Sequence, residues 1–548
     1  MPIRPDPQPS RGIALPPRGW VLALLLALYI LPGLTGHDPW KVDDAVTLGV
    51  VHDMVSHGNW LLPQLAGRPW ADAPLYYWIA AGSGQIFAWL LPLHDAARLA
   101  SGAFTLLALS FILLAARELH GRDQAASGPL ILAGSIGFIF HAHEAQPMLA
   151  ALTAHAAAYW GLAMLPRQPR RGAGIFGAAL GGTFLAGGLL PALLLLPVAL
   201  AALWRMRANG AQPPLATPLL VLAAAATAVA APWLLAMQIA SPSHVSLFWR
   251  DELRSLGILP EALNNIRRYL GTLAWYAWPA LPIAAWALWS RRRMLRGFAL
   301  SFPLLAFLAV LLGLGLLVGM RSAPALLLLP PLVLLAVPGV ATLRRGAANA
   351  FDWFAMITFS LFAGLVWIGW CAMVFGWPPR LARQVVRLAP GFETGFSLFA
   401  FLLALAATLA WLWLIVTSPR SPMRSVTHWM AGVTLFWFLV VQLWMPWIDY
   451  GKTYRPLAAS IARSLPADPG CIADGGLPES MLASLDYFEG IRLTRGRTAP
   501  SRCDWLLVQV STRSAAASPG EPWQRVWEGH RPNDRHERFR LYRRAPAP

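Results

Sequence analysis

The sequence is poor in charge and poorest in acids. Charged residues make up 13% of its 548 residues, with 26 Asp and Glu against 44 Lys and Arg, whereas hydrophobic residues make up 57%. The mean hydropathy is +0.50. So little charge over so long a chain excludes an ordinary soluble domain. Many apolar runs reach the roughly 18 residues needed to cross the hydrocarbon of a bilayer. The sequence therefore predicts an all-α polytopic membrane protein.

The net charge of +18 does not indicate nucleic-acid binding. The arginines fall in short clusters between the apolar runs rather than in one basic patch. Such clusters are typical of topology signals and of contacts with lipid headgroups. We therefore expect the lipid bilayer, and no nucleic acid, among the partners of this chain.

No cleavage site of the signal-peptide kind follows the first apolar run, from Trp20 to Leu34, which is expected to be retained as a span. The arginine clusters place the N-terminus in the cytoplasm and the tail after Trp447 outside. The run 128–141 is too short to cross a bilayer untilted and is expected to be re-entrant or partial. The remaining runs give about 13 transmembrane helices.

Two regions differ in character. Residues 1–447 hold the apolar runs, whereas residues 448–548 hold short alternating stretches between turns, which predicts a small soluble α/β domain. Cys471 and Cys503 lie in this tail, where an oxidising compartment would allow a disulfide. The sequence does not define their separation, so their pairing stays open. Cys371, the third cysteine, lies in an apolar run and is expected to be a core residue.

The first outer loop, residues 37–74, contains most of the candidate chemistry. Apolar residues recur at helical spacing from Asp44 to Gly58, which predicts a helix lying in the membrane interface. Residues 244–256 show a similar pattern and predict a second one. Either helix can also be only a lid or a packing element.

Ionisable side chains at the membrane boundary are few, and carboxylates near lipid are costly enough to be functional candidates. Asp43 and Asp44 are adjacent, so their pKa values can split and leave one of them as a base or a cation ligand. They also fit a helix N-cap. Asp72 fits a cap equally well. Arg321, in a short outer turn, fits a lipid phosphate or a substrate phosphate.

These residues stand in motifs that resemble those of a known family. Asp43–Asp44, then Gly58–Pro63 (GNWLLP) and Asp72–Trp78 (DAPLYYW), are similar to the D-E, G-D-W-L-x-P and E-K-P-P-L-Y-Y-W motifs of one group of membrane glycosyltransferases. That group comprises the aminoarabinose (lipid A) transferases, or ArnT-like enzymes, and the protein O-mannosyltransferase-like enzymes of the GT-C fold. Pro232–Trp233, and Arg321 ahead of an L-P-P run, extend the resemblance.

The resemblance implies a GT-C fold and a transferase that takes a sugar from a polyprenyl (undecaprenyl) phosphate donor. The sugar would be attached with inversion to a periplasmic-side acceptor such as lipid A, another glycolipid or a cell-envelope glycan. It also implies a multi-pass protein of the bacterial inner membrane, with the active site and the C-terminal domain facing the periplasm.

The resemblance also implies roles for individual residues. Asp43 is expected to be the catalytic carboxylate, and Asp44 to orient it or the acceptor. Positive charge is needed at the phosphate of the leaving group. Arg321 is the first candidate for this role, and the weaker ones are Lys41, Arg250 and Arg254.

Some relatives hold a divalent cation, which Asp72 and Glu252 would bind here. An Asp/Glu pair with waters suits Mg²⁺ or Mn²⁺ better than Zn²⁺. Alternatively, these acids only pair with nearby arginines. The family's two lysines are replaced by Ala73 and Gly187, and an expected acid is missing near Gln146. The sequence therefore supports the reaction class better than the substrate.

Two other classes of function stay open. A lipid-linked substrate flippase or transporter would be expected to carry ionisable residues near the membrane midplane, or paired repeats. Here the acids cluster at one face, and no internal repeat is evident. A non-catalytic GT-C relative is the other alternative, because the two lysines are missing.

Overall fold

A computed structural model describes residues 19–40, 42–208, 216–257, 261–319, 321–393, 395–419, 421–495, 502–511 and 522–545. Long helices dominate, and a small sheet forms near the C-terminus. The α-helices are α1 Gly19–Ile30, α2 Asp43–His57, α3 Leu75–Ile86, α4 Leu93–His120, α5 Arg122–Ala125, α6 Ser127–Ala133, α7 Ile136–Ala142, α8 Met148–Met164, α9 Pro169–Gly187, α10 Leu189–Ala208, α11 Ala216–Ala240, α12 Pro242–Ser255, α13 Ala262–Tyr276, α14 Ala280–Ser290, α15 Phe298–Leu317, α16 Leu329–Thr342, α17 Arg345–Phe375, α18 Pro379–Leu388, α19 Leu398–Thr417, α20 Pro422–Lys452, α21 Arg455–Ser464 and α22 Glu479–Glu489. The strands are β1 Gln64–Leu65, β2 Arg68–Pro69, β3 Ile472–Asp474, β4 Trp505–Ser511, β5 Trp523–Arg531 and β6 Asp534–Arg544.

The expected multi-pass membrane architecture is confirmed. Among the described residues, 8 helices are long and apolar enough to cross a bilayer, or up to 9 if one bent pair counts as a span. They are α4, α10, α11, α15, α16 with the short 3₁₀ turn before it, α17, α19 and α20. The expected total of about 13 is not confirmed, because several other apolar helices, such as α8 and α14, are shorter than a full crossing.

The run 128–141 is indeed not a straight span. Its two halves meet at a bend of 66° between α6 and α7. Trp429 Nε1 donates to the Gly134 carbonyl oxygen (2.8 Å), and the Ile136 amide donates to the Trp278 carbonyl oxygen (3.2 Å). Non-helical backbone is tolerated at membrane depth only where protein supplies its hydrogen bonds, as it does here.

The first-loop helix expected after Asp44 is α2. Its C-cap is Gly58, which has a left-handed φ of +73° and whose backbone N–H donates a hydrogen bond to the Met54 carbonyl oxygen. Most of α2 is buried between α3 and α22, because the C-terminal domain packs over it. A tight β1–β2 hairpin with Ala66 and Gly67 at positive φ then returns the chain towards α3. The second expected outer helix is α12.

The C-terminal domain is a small α/β unit, as expected. Its sheet has the order β3-β4-β6-β5, with β3 parallel to β4 and the other pairs antiparallel. Helices α21 and α22 supply apolar side chains to a core that includes Leu507 and Leu541. Cys471 and Cys503 form a disulfide, with Cα atoms 4.8 Å apart. Helix α20 continues through the expected domain boundary at residue 447 and ends at Lys452.

Candidate active site

A cavity of about 830 Å³ lies between the start of α2, the loop before α3, the segment between α7 and α8, and the turn at residues 321–324. The C-terminal domain closes part of its wall. The acidic, basic and amide side chains that line it among the described residues are Asp43, Asp72, His141, Glu144, Gln146, Arg321 and Glu479. Elements far apart in the chain therefore bring one arginine and several carboxylates to a shared space large enough for a sugar.

Asp43 lies in the first turn of α2 with its side chain exposed to this cavity. Its Oδ2 accepts a hydrogen bond from Gln146 Nε2 (2.9 Å). Neither Asp43 nor Asp44 is the N-cap residue of α2, since Val42 holds that position and makes no side-chain cap hydrogen bond. Asp43 is therefore oriented by one donor and left accessible, as a proton acceptor must be.

Asp44 points away from the cavity and is 1% exposed. Its carboxylate accepts hydrogen bonds from Arg98 Nε (3.0 Å) and Nη2 (2.8 Å). It also accepts hydrogen bonds from the backbone amides of Trp40 (2.8 Å) and Ala145 (2.7 Å). Burial alone would raise the pKa of Asp44, but Arg98 and these hydrogen bonds outweigh burial and hold that pKa below its usual value. Asp44 thus anchors α2 beside Asp43 and does not line the cavity.

Arg98, the partner of Asp44, was not singled out in the sequence. Its side chain is fully buried on α4 and also donates to the carbonyl oxygens of His37 (2.8 Å) and Asp38 (2.9 Å) and to Asp95 Oδ1 (3.3 Å). An arginine inside an apolar run is the one signal that could have identified it, because a buried guanidinium requires several acceptors.

Asp72 also faces the cavity. Its Oδ2 accepts hydrogen bonds from Tyr77 Oη (2.8 Å) and Trp70 Nε1 (3.1 Å). The enclosing protein raises the pKa of Asp72, Asp43 adds to the increase, and the two hydrogen bonds oppose it. The aromatic residues of the DAPLYYW motif therefore hold this carboxylate in place.

Glu252 lies on α12 and holds the start of α10. Its Oε2 accepts the amide of Leu189 (2.6 Å), and its carboxylate touches Gly188, where any Cβ would collide with it. Burial raises the pKa of Glu252 to about 7, and the charge of Asp72 contributes. Among the described residues, no group of three or more His, Cys, Asp or Glu side chains is arranged to hold a metal ion.

Of the expected cations that lie among the described residues, only Arg321 is found at the cavity. Tyr276 Oη donates to the Ser322 carbonyl oxygen (2.9 Å) and so pins the turn that carries Arg321. No carboxylate in the described part of the chain pairs with Arg321, whose side chain is exposed. Arg250 and Arg254 are exposed on α12 and are not among the cavity-lining residues, and Arg254 lies 3.9 Å from Asp251. Lys41 lies outside the described residues.

The sequence predicts no role for two of the acids that line the cavity, Glu144 and Glu479. Glu144 has 31% of its side chain exposed and lies 3.8 Å from His141. Burial, with Asp44 and Asp43 nearby, raises the pKa of Glu144 to about 8. Glu479 is exposed in the first turn of α22, so the C-terminal domain contributes a carboxylate to the cavity. Nothing in the tail's sequence indicates this, because only the packing of α22 on α2 brings Glu479 there.

Side-chain contacts join the first loop to the base of the C-terminal domain. Arg455, at the start of α21, forms a bidentate ion pair with Asp38, which also accepts Thr453 Oγ1 (2.8 Å). Trp40 Nε1 donates to Asp449 Oδ1 near the end of α20 (2.8 Å). The domain is therefore tied to the same loop that carries Asp43.

Known proteins match this chain in sequence and fold. No family model matches it. Over 458 residues it is 26% identical to the undecaprenyl phosphate-alpha-4-amino-4-deoxy-L-arabinose arabinosyl transferase of Pseudomonas savastanoi pv. phaseolicola, covering 77% of this chain and 76% of that protein. Over 293 residues it is 28% identical to the corresponding transferase 2 of Proteus mirabilis, covering 50% of each protein.

The fold comparison covers nearly the whole chain. The crystal structure of ArnT from Cupriavidus metallidurans bound to undecaprenyl phosphate superposes with a TM-score of 0.68 at 16% identity, covering 95% of this chain and 98% of that one. Its apo form gives a TM-score of 0.64. The resemblance expected from the first-loop motifs is confirmed, and the chain has the GT-C fold.

Proposed function

Because its sequence resembles the undecaprenyl-phosphate aminoarabinose transferases and its fold is that of ArnT, we propose that this chain is an inverting membrane glycosyltransferase. The donor is a sugar carried on polyprenyl (undecaprenyl) phosphate. The acceptor is a periplasmic-side molecule such as lipid A, another glycolipid or a cell-envelope glycan. The observation that carries the proposal is the cavity, in which an accessible Asp43 and Arg321, which pairs with no carboxylate of the described residues, line one space.

The proposed reaction requires a base and a stabilised leaving group. Asp43 accepts the proton of an acceptor hydroxyl, and the hydroxyl oxygen forms a bond to the anomeric carbon of the donor sugar. The bond between that carbon and the phosphate oxygen breaks on the opposite face, and its electron pair leaves with the lipid phosphate. Arg321 stabilises the charge that develops on this phosphate. Gln146 supports the reaction by holding Asp43 through its hydrogen bond.

The binding of a divalent cation by Asp72 and Glu252 stays a prediction. Mg²⁺ or Mn²⁺ favours a full shell of oxygen ligands. Each of these carboxylates already accepts at least one hydrogen bond from the protein, and the described residues contain no group of three or more His, Cys, Asp or Glu side chains that could hold a metal ion. The residues present do not make up a cation site by themselves, and no step of the proposed reaction uses one.

We infer that the cavity and the C-terminal domain face the periplasm across a bacterial inner membrane. Arginine clusters such as Arg291–Arg293 and Arg344–Arg345 follow α14 and α16 at their C-terminal ends. Positive charge favours the cytoplasmic side. Arg98, beside the site, lies in the first turns of α4, whereas Arg117 lies in its last turn, so the helix carries the chain away from the cavity towards the basic face.

The test is mass spectrometry of surface glycolipids and glycoproteins from cells with and without the protein, together with two variants. Cells lacking the protein should lose one sugar mass, which names the donor sugar and acceptor class together. The Asp43→Asn variant should also lose it while reaching the membrane at the normal level. The matched control is Asp251→Asn, which removes an exposed acid of α12 and should keep the sugar. Normal glycosylation by Asp43→Asn would refute the assignment of the base, and an unchanged glycan profile without the protein would refute the transferase.

A further inference from the structure

A second polar cavity, of about 380 Å³, lies at the opposite end of α4 from the candidate active site. Helix α4 has 28 residues and is therefore about 42 Å long at 1.5 Å per residue. Its first turns carry Arg98 of the site, whereas its last turn carries Arg117 and Glu118, which line the second cavity. The second cavity therefore faces the other surface of the membrane.

Arginines from three separate segments line this second cavity. Arg117 lies in the last turn of α4, Arg167 lies between α8 and α9, and Arg291 follows α14. The Nη1 of Arg167 donates to the Glu118 carbonyl oxygen (2.9 Å) and lies 3.4 Å from the Glu118 carboxylate. Neither Arg117 nor Arg291 pairs with a carboxylate in the described part of the chain. The described lining of the cavity therefore carries a net positive charge, since it contains three arginines and one acid, Glu118.

An unsatisfied amide also lines the second cavity. The Oε1 atom of Gln124, in α5, is buried and accepts no hydrogen bond from the described residues. A buried acceptor without a donor is unfavourable, because it has lost its hydrogen bonds to water and gained none from the protein. A hydroxyl group on a bound ligand would satisfy it, and the amide would then lie beside the ligand's charged group.

We propose that the second cavity binds a phosphate ester whose neighbouring group carries a hydroxyl, as in the headgroup of phosphatidylglycerol. Arg117 and Arg291 hold the phosphate, which suits the guanidinium's several donors. The headgroup hydroxyl donates to Gln124 Oε1. The cavity is lined by the end of α4 and by the segments that join α8 to α9 and α14 to α15, where a lipid of the adjacent leaflet can reach it. Inorganic phosphate shares the anionic chemistry and is the alternative source of the ligand.

The test uses the full-length protein, delipidated in detergent and titrated with defined lipids under native mass spectrometry. The wild-type protein should bind phosphatidylglycerol in preference to phosphatidylcholine. Arg117→Gln with Arg291→Gln should weaken that binding by about tenfold or more. The matched control, Arg292→Gln with Arg293→Gln, removes the same charge from the adjacent turn, outside the cavity lining, and should retain it. Equal losses in the two double variants would overturn the proposal, as would equal binding of the two lipids by the wild type.

A second variant tests the hydroxyl contact and does not alter any charge. Gln124→Leu should weaken phosphatidylglycerol binding but leave phosphatidic acid, which has no headgroup hydroxyl, unaffected. If the arginine double variant does not elute as a folded protein, the effects of Gln124→Leu on the binding of the two lipids test the proposal in its place. Equal effects on both lipids would refute the assignment. Competition by inorganic phosphate distinguishes the sources. Displacement of phosphatidylglycerol at equal concentration assigns the site to soluble phosphate, and retention of the lipid assigns it to the membrane.

Discussion

Replacing Arg98 with Met should destabilise the protein more than any single change at the cavity surface. The variant leaves the Asp44 carboxylate, 1% exposed, without its countercharge, and removes the guanidinium that donates to the carbonyl oxygens of His37 and Asp38. Removing one partner of a buried ion pair costs about 3–5 kcal/mol, because the remaining charge stays buried and unpaired. The loss should appear in the free energy of unfolding, measured by denaturant titration of the full-length protein in detergent micelles.

A double-mutant cycle tests the reason for that loss. Arg98→Met combined with Asp44→Asn should be more stable than the sum of the single losses predicts, by roughly 0.5–3 kcal/mol, since no unpaired charge remains. Additive losses, or an Arg98→Met variant within about 1 kcal/mol of the wild type, would refute the buried-pair reasoning. Asp43→Asn, one residue away but exposed, is the matched control and should unfold like the wild type.

The same pair makes stability depend on pH in a defined direction. The pKa of Asp44 is held below its usual value in the folded protein. A carboxyl with a lowered folded pKa contributes its full stabilisation above the unfolded pKa, near 3.9, and loses it as the pH falls further. The wild type should therefore lose more stability than Asp44→Asn when the pH falls below about 4. Parallel acid profiles of the two proteins would contradict this.

Three further outcomes follow from the cavity and its supports. The pKa of Glu144 is raised to about 8 in the folded protein, so its ionisation destabilises the folded state. The free energy of unfolding of the wild type should therefore fall as the pH rises from about 4.5 to 8, and Glu144→Gln should show a flatter profile in the same unfolding assay. Gly188→Ala should lose more than about 1 kcal/mol of unfolding free energy, because a Cβ at φ +76° collides with the Glu252 carboxylate, and wild-type stability would contradict that contact. Arg321→Gln should lower the transfer rate by about a hundredfold in a reconstituted assay with lipid-linked donor, whereas Arg250→Gln, which removes an exposed arginine of α12, should leave it unchanged.

Local patterns predicted the parts of the site that depend on local structure. Apolar spacing and Gly58 define α2 and its end, and the first-loop motifs led to Asp43 and Asp72 at the cavity. The length of the run 128–141 was enough to exclude a straight span, because a helix of about 14 residues is shorter than the hydrocarbon core.

The rest of the site depends on contacts between distant segments. Asp43 and Asp44 look equivalent in sequence, but successive helical side chains point about 100° apart, so one faces the cavity and the other faces Arg98. Which of the two faces the cavity is decided by packing against α4. Glu479 reaches the cavity only because α22 lies on α2, and no pattern in the tail reveals that contact.

The C-terminal domain and the first loop cannot be exchanged independently between relatives. Arg455 binds Asp38, Asp449 binds Trp40, and Glu479 lines the cavity beside Asp43. A chimera that takes the tail from one protein and the loop from another would mismatch these contacts at the candidate active site. The loop and the tail therefore have to be exchanged together, although some 400 residues of sequence separate them.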